Sequence, residues 1–204
     1  MKLKYPVNIH KGLTAFFVAG LMLYYQNFAI GPFVYLALHG SYGFMWLMKD
    51  RMFPDKQWEQ VVSIPYALFV FMALGLYWVA PFILISNTVV IPPFVLATSI
   101  ALNVFGTMLH FGSDAQKFFT LKYRAGLITE GFFARMRNVN YLGEFMIYSG
   151  YALLSMTWIG FIGIAAFLIG AFIPNMIKKE KSLSRYPAFA EYKARSGFFF
   201  PKLF

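Results

Sequence analysis

Six long apolar runs constrain this chain more than any other feature. They cover residues 12–29, 31–48, 61–85, 90–111, 140–156 and 158–176, with short polar or Gly/Pro breaks between them. Each is close to the roughly 20 residues that a helix needs to cross a bilayer, whereas barrel strands would be shorter and would alternate. The composition agrees, with 59% hydrophobic and 13% charged residues. We therefore expect an all-α, polytopic integral membrane protein with six transmembrane helices and a cytoplasmic C-terminal helical tail.

Lysine and arginine residues are confined to alternate breaks. They precede the first run and follow the second, fourth and sixth runs, while the turns within each pair of runs carry none. Because cytoplasmic loops retain these residues, the pattern predicts a multi-pass protein with both termini in the cytoplasm. The net charge of +10 then favours anionic membrane lipids and needs no nucleic-acid partner.

The chain has no cysteine, which excludes disulfides and thiolate chemistry. His10, His39 and His110 are far apart in sequence and lack a neighbouring carboxylate pair, so no metal site is expected. His39 lies near the middle of the second run, where an imidazole needs a hydrogen-bond partner. Both a helix-to-helix hydrogen bond and a catalytic role are open for it.

Polar side chains are distributed unevenly along what is expected to be one membrane domain, residues 1–204. The first 111 residues carry few of them and are assigned to the substrate side. Residues 112–204 carry dense polar motifs and are assigned to cofactor binding. The connection from about Gly112 to Asn138 is long, and such lengths usually indicate function.

The densest polar segment follows the fourth run and combines cations, amides and glycines. That mixture is what a phosphate-bearing ligand requires of its pocket, although positive-inside anchoring also explains Arg137. Glu144 approaches the apolar layer of the fifth run, where carboxylates are functional candidates. A first-turn position favoured by the helix dipole, with an Asn138 or Asn140 cap, is the structural alternative.

Together these motifs resemble, in order and spacing, the C-terminal half of steroid 5-alpha-reductases. The matching elements are Ser113-Asp114-x-Gln116-Lys117, Gly126-Leu127, Gly131-Phe132, Asn140-Tyr141-Leu142-Gly143-Glu144 and Gly150-Tyr151-Ala152-Leu153. Sterol C14 reductases share the Gln-Lys and Asn-Tyr-x-Gly-acid elements. The similarity covers about residues 103–204 and is closest to a bacterial branch of this superfamily, which implies a bacterial inner membrane. The superfamily is related to isoprenylcysteine carboxyl methyltransferases.

The resemblance implies NADPH-dependent reduction of a conjugated C=C bond in a lipophilic, steroid- or isoprenoid-like substrate of lipid metabolism. The NADPH pocket would be membrane-embedded, open to the cytoplasm and without a Rossmann fold. By the same resemblance, Asp114 and Asn140 contact the nicotinamide nucleotide, and Glu144 orders the pocket beside Tyr141. Phosphate or ribose contacts fall on Lys117, Arg124 and Arg137, and the segment closing over the adenine end contains Tyr186, Tyr192 and Arg195.

The residue that donates the proton is not fixed by the resemblance. Steroid reductases polarise the substrate ketone with a Glu in an early helix and a Tyr directly after a Leu-His pair. Here Leu38-His39 is followed by Gly40, and Tyr42 is the next tyrosine. His39 and Tyr42 are therefore both candidates for the catalytic acid.

Two other functions are compatible with the sequence. One is an S-adenosylmethionine-dependent methyltransferase of the isoprenylcysteine or phospholipid type, because the spacing Arg137-x-x-x-Tyr141-x-Gly143 resembles a motif of those enzymes without its proline. They usually place paired acids after the last helix, and here only Glu180 is present. The other is a lipid-binding or scaffolding protein without catalysis.

Overall fold

The computed structural model describes residues 1–202, and the chain in that range is helical, with no β-strand beyond two isolated bridges. The α-helices are α1 (Lys4–Tyr24), α2 (Ile30–Tyr35), α3 (Ser41–Met52), α4 (Ile64–Leu74), α5 (Val79–Ser86), α6 (Pro93–Tyr123), α7 (Val139–Leu153), α8 (Ile162–Phe167), α9 (Ile173–Leu183) and α10 (Phe189–Arg195). A π-helical turn, Leu36–Gly40, joins α2 to α3, and another, Leu168–Phe172, joins α8 to α9. A 3-10 turn, Gly75–Trp78, joins α4 to α5.

Four helical stretches are long and apolar enough to cross a membrane: Lys4–Tyr24, Ile64–Ser86, Pro93–Tyr123 and Trp158–Leu183. Large apolar side chains point outward from them, with Phe16, Met72, Phe94 and Ile169 each at least 67% exposed. Water would disfavour such surfaces, whereas lipid tails accept them. The expectation of a helical membrane protein is confirmed.

Several helix boundaries differ from those predicted. Helix α1 begins at Lys4 rather than near residue 12, because Pro6 is tolerated in a first helical turn. Gly31-Pro32, which the sequence suggests as the turn between the first two runs, lies instead in the first turn of α2. Helix α6 continues to Tyr123, so the non-helical connection begins at Arg124 instead of Gly112.

The chain divides into two compact units. The first contains Met1–Asn103 and Tyr148–Ile164. In it, α1 packs against α3, and a Cβ on Gly43 would collide with the Lys11 carbonyl oxygen. A polar link supports this packing, since Trp46 Nε1 donates to Asn8 Oδ1 at 2.9 Å.

The second unit contains Val104–Ile147 and the residues from Ala165 onward. Here α6 and α7 cross with their backbones in contact at two glycines. A Cβ on Gly143 would lie 2.6 Å from the Gly106 carbonyl oxygen, and one on Gly106 would lie 2.7 Å from that of Gly143. Small residues allow this approach in membrane helices. A buried cluster of Phe133, Met136, Val139 and Leu142 forms the core beside the crossing.

Candidate functional site

Charged residues gather in the second unit around the end of α6. Asp114 is 7% exposed, and Lys117 follows it by one helical turn. Lys179 of α9 interacts electrostatically with both, and also with Glu180 and Arg137. Buried charges are costly unless they are paired. In this group two carboxylates face three cations, so only one positive charge is left uncompensated.

Arg137 binds other parts of the protein through its guanidinium and is 4% exposed. Its Nε donates to Glu180 Oε1 at 2.6 Å, and its Nη1 donates to the carbonyl and the hydroxyl of Ser196. Lys179 Nζ donates to the Arg137 carbonyl oxygen at 2.6 Å. Arg137 therefore anchors the chain before α7 to α9 and to the C-terminal segment, and its contact with phosphate stays a prediction.

Gln116 holds the connection between α6 and α7. Its Oε1 accepts from the Phe132 N–H at 2.9 Å, and its Nε2 donates to the Glu130 carbonyl at 2.9 Å. Gly131 has φ +61°, and a Cβ there would lie 2.6 Å from the Gln116 amide. The Gln116 and Gly131 elements of the sequence motif thus form one contact, because the Gln116 amide occupies the space that a side chain at position 131 would need.

Arg124 lies on the surface and forms an exposed ion pair with Glu130. The Thr129 N–H, followed by the Arg124 guanidinium, holds the pKa of Glu130 below its ordinary value. Exposed pairs of this kind contribute little to stability. The predicted contact between Arg124 and a ligand phosphate or ribose is not tested by this arrangement.

Asn140, Tyr141 and Glu144 lie in the first two turns of α7. Asn140 and Glu144 are four residues apart, which puts them on one face of the helix. Both are half-buried, and within residues 1–202 neither side chain has a hydrogen bond or an ion pair. The Tyr141 ring packs against Phe172, with the ring centres 5.3 Å apart. These two polar side chains are therefore available to a ligand.

The predicted closing segment has one buried anchor and two more exposed residues. Tyr192 is 2% exposed, and its hydroxyl donates to the Phe133 carbonyl at 2.7 Å. Burial raises the pKa of Tyr192 to about 12, so the phenol stays protonated as a donor even above its ordinary pKa of about 10. Tyr186 is half-buried under the Arg185 guanidinium, and Arg195 is exposed.

His39 and Tyr42 lie in the first unit and are both fully buried. His39 occupies the π-helical turn, a feature frequent at functional sites. Its Nδ1 is hydrogen-bonded to the Tyr35 hydroxyl at 2.9 Å, and its ring stacks on Tyr151 at 4.1 Å. The two candidate acids thus share one unit, whereas the predicted cofactor contacts belong to the other.

Sequence reasoning missed a buried pair in the first unit, formed by Lys11 and Tyr148. Lys11 is 3% exposed and donates to the Tyr148 hydroxyl. Lys11 had the signature of a cytoplasmic charge ahead of the first run, and only the earlier start of α1 brings it inside. A signal was present, because a helix begun at Lys4 would carry this cation into its second turn.

The fold and these sites define a helical membrane protein with polar residues buried inside it. The chain matches the family described as "Protein of unknown function (DUF1295)" over residues 45–196, and it belongs to that family. The family generally falls within the steroid 5-alpha-reductase-like group, which agrees with the resemblance at that level. No curated protein and no solved structure matches the chain.

Proposed function

We propose that this protein is an NADPH-dependent membrane reductase acting on a conjugated C=C bond of a lipophilic, steroid- or isoprenoid-like molecule. The observation that carries the proposal is the pair of Asn140 and Glu144, half-buried and without internal partners in the described chain. Burying a carboxylate costs on the order of several kcal/mol unless donors surround it. A ligand with N–H or O–H donors would remove that cost.

The residue types in the second unit fit a phosphate-bearing nicotinamide nucleotide. A carboxamide can both donate to the Glu144 carboxylate and pair with the Asn140 amide, while Lys117 and Lys179 supply cations for phosphate. The bound nucleotide would supply a hydride, and the protein would bind and orient it. The proposed contacts are Asp114, Lys117, Arg124, Arg137, Asn140, Tyr141, Glu144, Tyr186, Tyr192 and Arg195.

The same proposal includes a topology of six spans with both termini in the cytoplasm. The two helical stretches added to the four apolar ones are Ile30–Met52 and α7. The support is the distribution of Lys and Arg, which leaves every turn between paired runs uncharged. The cationic connection before α7 would then meet NADPH on the cytoplasmic side.

Binding of NADPH and of S-adenosylmethionine, measured by calorimetry in lipid nanodiscs, tests the proposed function. We expect NADPH to bind and S-adenosylmethionine not to bind. Glu144→Gln and Asn140→Ala should each weaken NADPH binding about tenfold or more while leaving the unfolding temperature without ligand unchanged. Glu191→Gln is the matched control, because Glu191 is an exposed carboxylate of the same unit.

Two results would redirect the assignment. Preferential binding of S-adenosylmethionine would favour the methyltransferase, whose only specific support is the Arg137-x-x-x-Tyr141-x-Gly143 spacing. That alternative is weakened because Glu180, which lies within α9 near its C-terminal end, is paired with Arg137. Binding of neither nucleotide would favour a lipid-binding protein without catalysis.

A further inference from the structure

Lys11 of α1 is buried among aromatic side chains in the first unit. Its ammonium lies 4.6 Å from the ring centre of Tyr42, 4.9 Å from that of Trp46 and 4.8 Å from that of Tyr148. It also donates a hydrogen bond to the Tyr148 hydroxyl. The rings offset part of the cost of burying a cation. A charge kept inside an apolar helix bundle at such a cost indicates a role beyond packing.

The Tyr148 side chain is held in one orientation. It is 2% exposed, and its ring stacks on Tyr77 with the centres 3.7 Å apart and the planes 17° from parallel. The edge-on contact with His39, at 5.9 Å, restricts it further. The phenol hydroxyl is therefore fixed beside the Lys11 ammonium, which is the preorganisation that a catalytic acid needs.

His39 contributes a polar atom that lacks a partner. Its Nδ1 is bonded to the Tyr35 hydroxyl, but its Nε2 is buried and finds no hydrogen-bond partner within residues 1–202. An unsatisfied buried nitrogen is costly, and it requires an explanation such as an absent ligand. Because His39 contacts the Tyr148 ring, a ligand oxygen in this cluster could satisfy the open nitrogen.

We propose that the first unit binds the substrate carbonyl oxygen at Tyr148, which acts as its acid, and that Lys11 positions the Tyr148 phenol and stabilises its phenolate. This inference rests on the proposed function, which supplies the reduced nicotinamide. A bound nicotinamide would supply the hydride to the β-carbon of a conjugated ketone, and the C=C electron pair would move toward the carbonyl oxygen to give an enolate. Tyr148 gives its proton to the enolate, and an enol–keto shift completes the saturated ketone. The phenolate then regains a proton from solvent.

Lysine suits this position better than a neutral neighbour would. An ammonium hydrogen-bonded to the phenol oxygen stabilises the negative charge left after proton transfer, both by its charge and by its N–H donor. His39 is then a second hydrogen-bonding group for the substrate oxygen, and Tyr42 contributes the aromatic face that holds the Lys11 ammonium. The acid is thereby assigned to a residue of α7 instead of to the Leu38-His39 segment.

The test uses 2-naphthols as mimics of the enolate oxygen, bound to the protein in nanodiscs without any nucleotide. Fluorescence titration of a series with increasing ring acidity gives the affinity of each probe, and empty nanodiscs correct for partition into lipid. We expect affinity to rise with acidity in the wild type, because the site favours a negative oxygen. Tyr148→Phe should lower the affinity about tenfold or more, since a hydrogen bond to a charged group is lost.

Lys11→Met should flatten the dependence of affinity on acidity, a readout that a merely structural lysine would not change. Lys11→Arg should keep the dependence, and Lys11→Gln, which keeps a donor without the charge, should flatten it and replaces Lys11→Met if that variant does not fold. The matched control is Lys49→Met, because Lys49 is also 3% exposed and lies over the same Trp46 ring, 5.0 Å from its centre. This control should bind like the wild type.

The outcomes separate this inference from the proposed function. Two results would overturn the roles of Tyr148 and Lys11 even if NADPH binds. One is wild-type protein that binds no naphthol, and the other is folded Tyr148→Phe and Lys11→Met variants that bind the series as the wild type does. Failure of NADPH to bind would instead remove the reductase. In that case a naphthol response lost in both variants would still identify an oxyanion site at Tyr148.

Discussion

At the scale of single residues, bonding separates Arg137 from the neighbouring motif residues Asn140 and Glu144. Arg137 is buried and bonded to Glu180 and Ser196, whereas the other two side chains have no internal partner in the described chain. The first pattern is that of a structural anchor, and the second leaves both side chains available to a ligand. Neighbouring residues of one sequence motif can therefore differ in role, some bonded within the protein and others available to a ligand.

We predict that Arg137→Ala releases the C-terminal segment. Loss of its charged hydrogen bonds should cost about 3 kcal/mol, which corresponds to about a hundredfold larger open population. Hydrogen exchange of residues 189–202 should accelerate accordingly. Arg135→Ala is the matched control, because Arg135 is exposed.

A different result would give Arg137 the role implied by the resemblance. If exchange in residues 189–202 stays slow while NADPH binding weakens more than NADH binding, the guanidinium clamps the additional phosphate. Equal losses for both nucleotides together with faster exchange would mean that only the anchoring role exists.

At the scale of helices, the crossing of α6 and α7 depends on two glycines. We predict that Gly143→Ala lowers the thermal unfolding midpoint, because its methyl group would overlap the Gly106 carbonyl and force the helices apart, at a cost of about 1–3 kcal/mol. Gly170→Ala is the control, since its Cβ would meet nothing within 4 Å. An unchanged midpoint in Gly143→Ala would mean that this crossing adjusts freely.

The sequence predicted the helices well and their ends poorly, for a physical reason. Hydropathy reports which residues lipid accepts, but a helix continues as long as its backbone is bonded, so α1 and α6 extend past their apolar runs. The same limit hid the buried pair of Lys11 and Tyr148 in the first unit. Hydropathy assigns Lys11 to a loop, whereas the structure puts it inside α1, which begins at Lys4. Its partner Tyr148 is 137 positions away in sequence, so the pair could not be predicted from local pattern.

The proximity of the candidate residues of the second unit was easier to predict, because they lie close together in sequence. Asn140, Tyr141 and Glu144 occupy adjacent turns of one helix, so their spacing alone puts Asn140 and Glu144 on a common face. The partners of Arg137 could not be predicted in this way. Glu180 and Ser196 follow it by 43 and 59 residues, and only the packed chain brings them together.

At the scale of the whole molecule, charge distribution predicts the topology across the membrane. We expect six spans with both termini in the cytoplasm, because every Lys and Arg lies outside the turns that join paired runs. A reporter active only in the cytoplasm should work at either terminus, and one active only in the periplasm should work when inserted between Asn87 and Pro92. Introducing two lysines into that turn should lower insertion, since each lysine would have to cross the bilayer. The same two lysines placed after Lys56 are the control and should leave insertion unchanged. A periplasmic signal from one terminus only would require an odd number of spans and would exclude either Ile30–Met52 or α7 as a membrane-crossing segment.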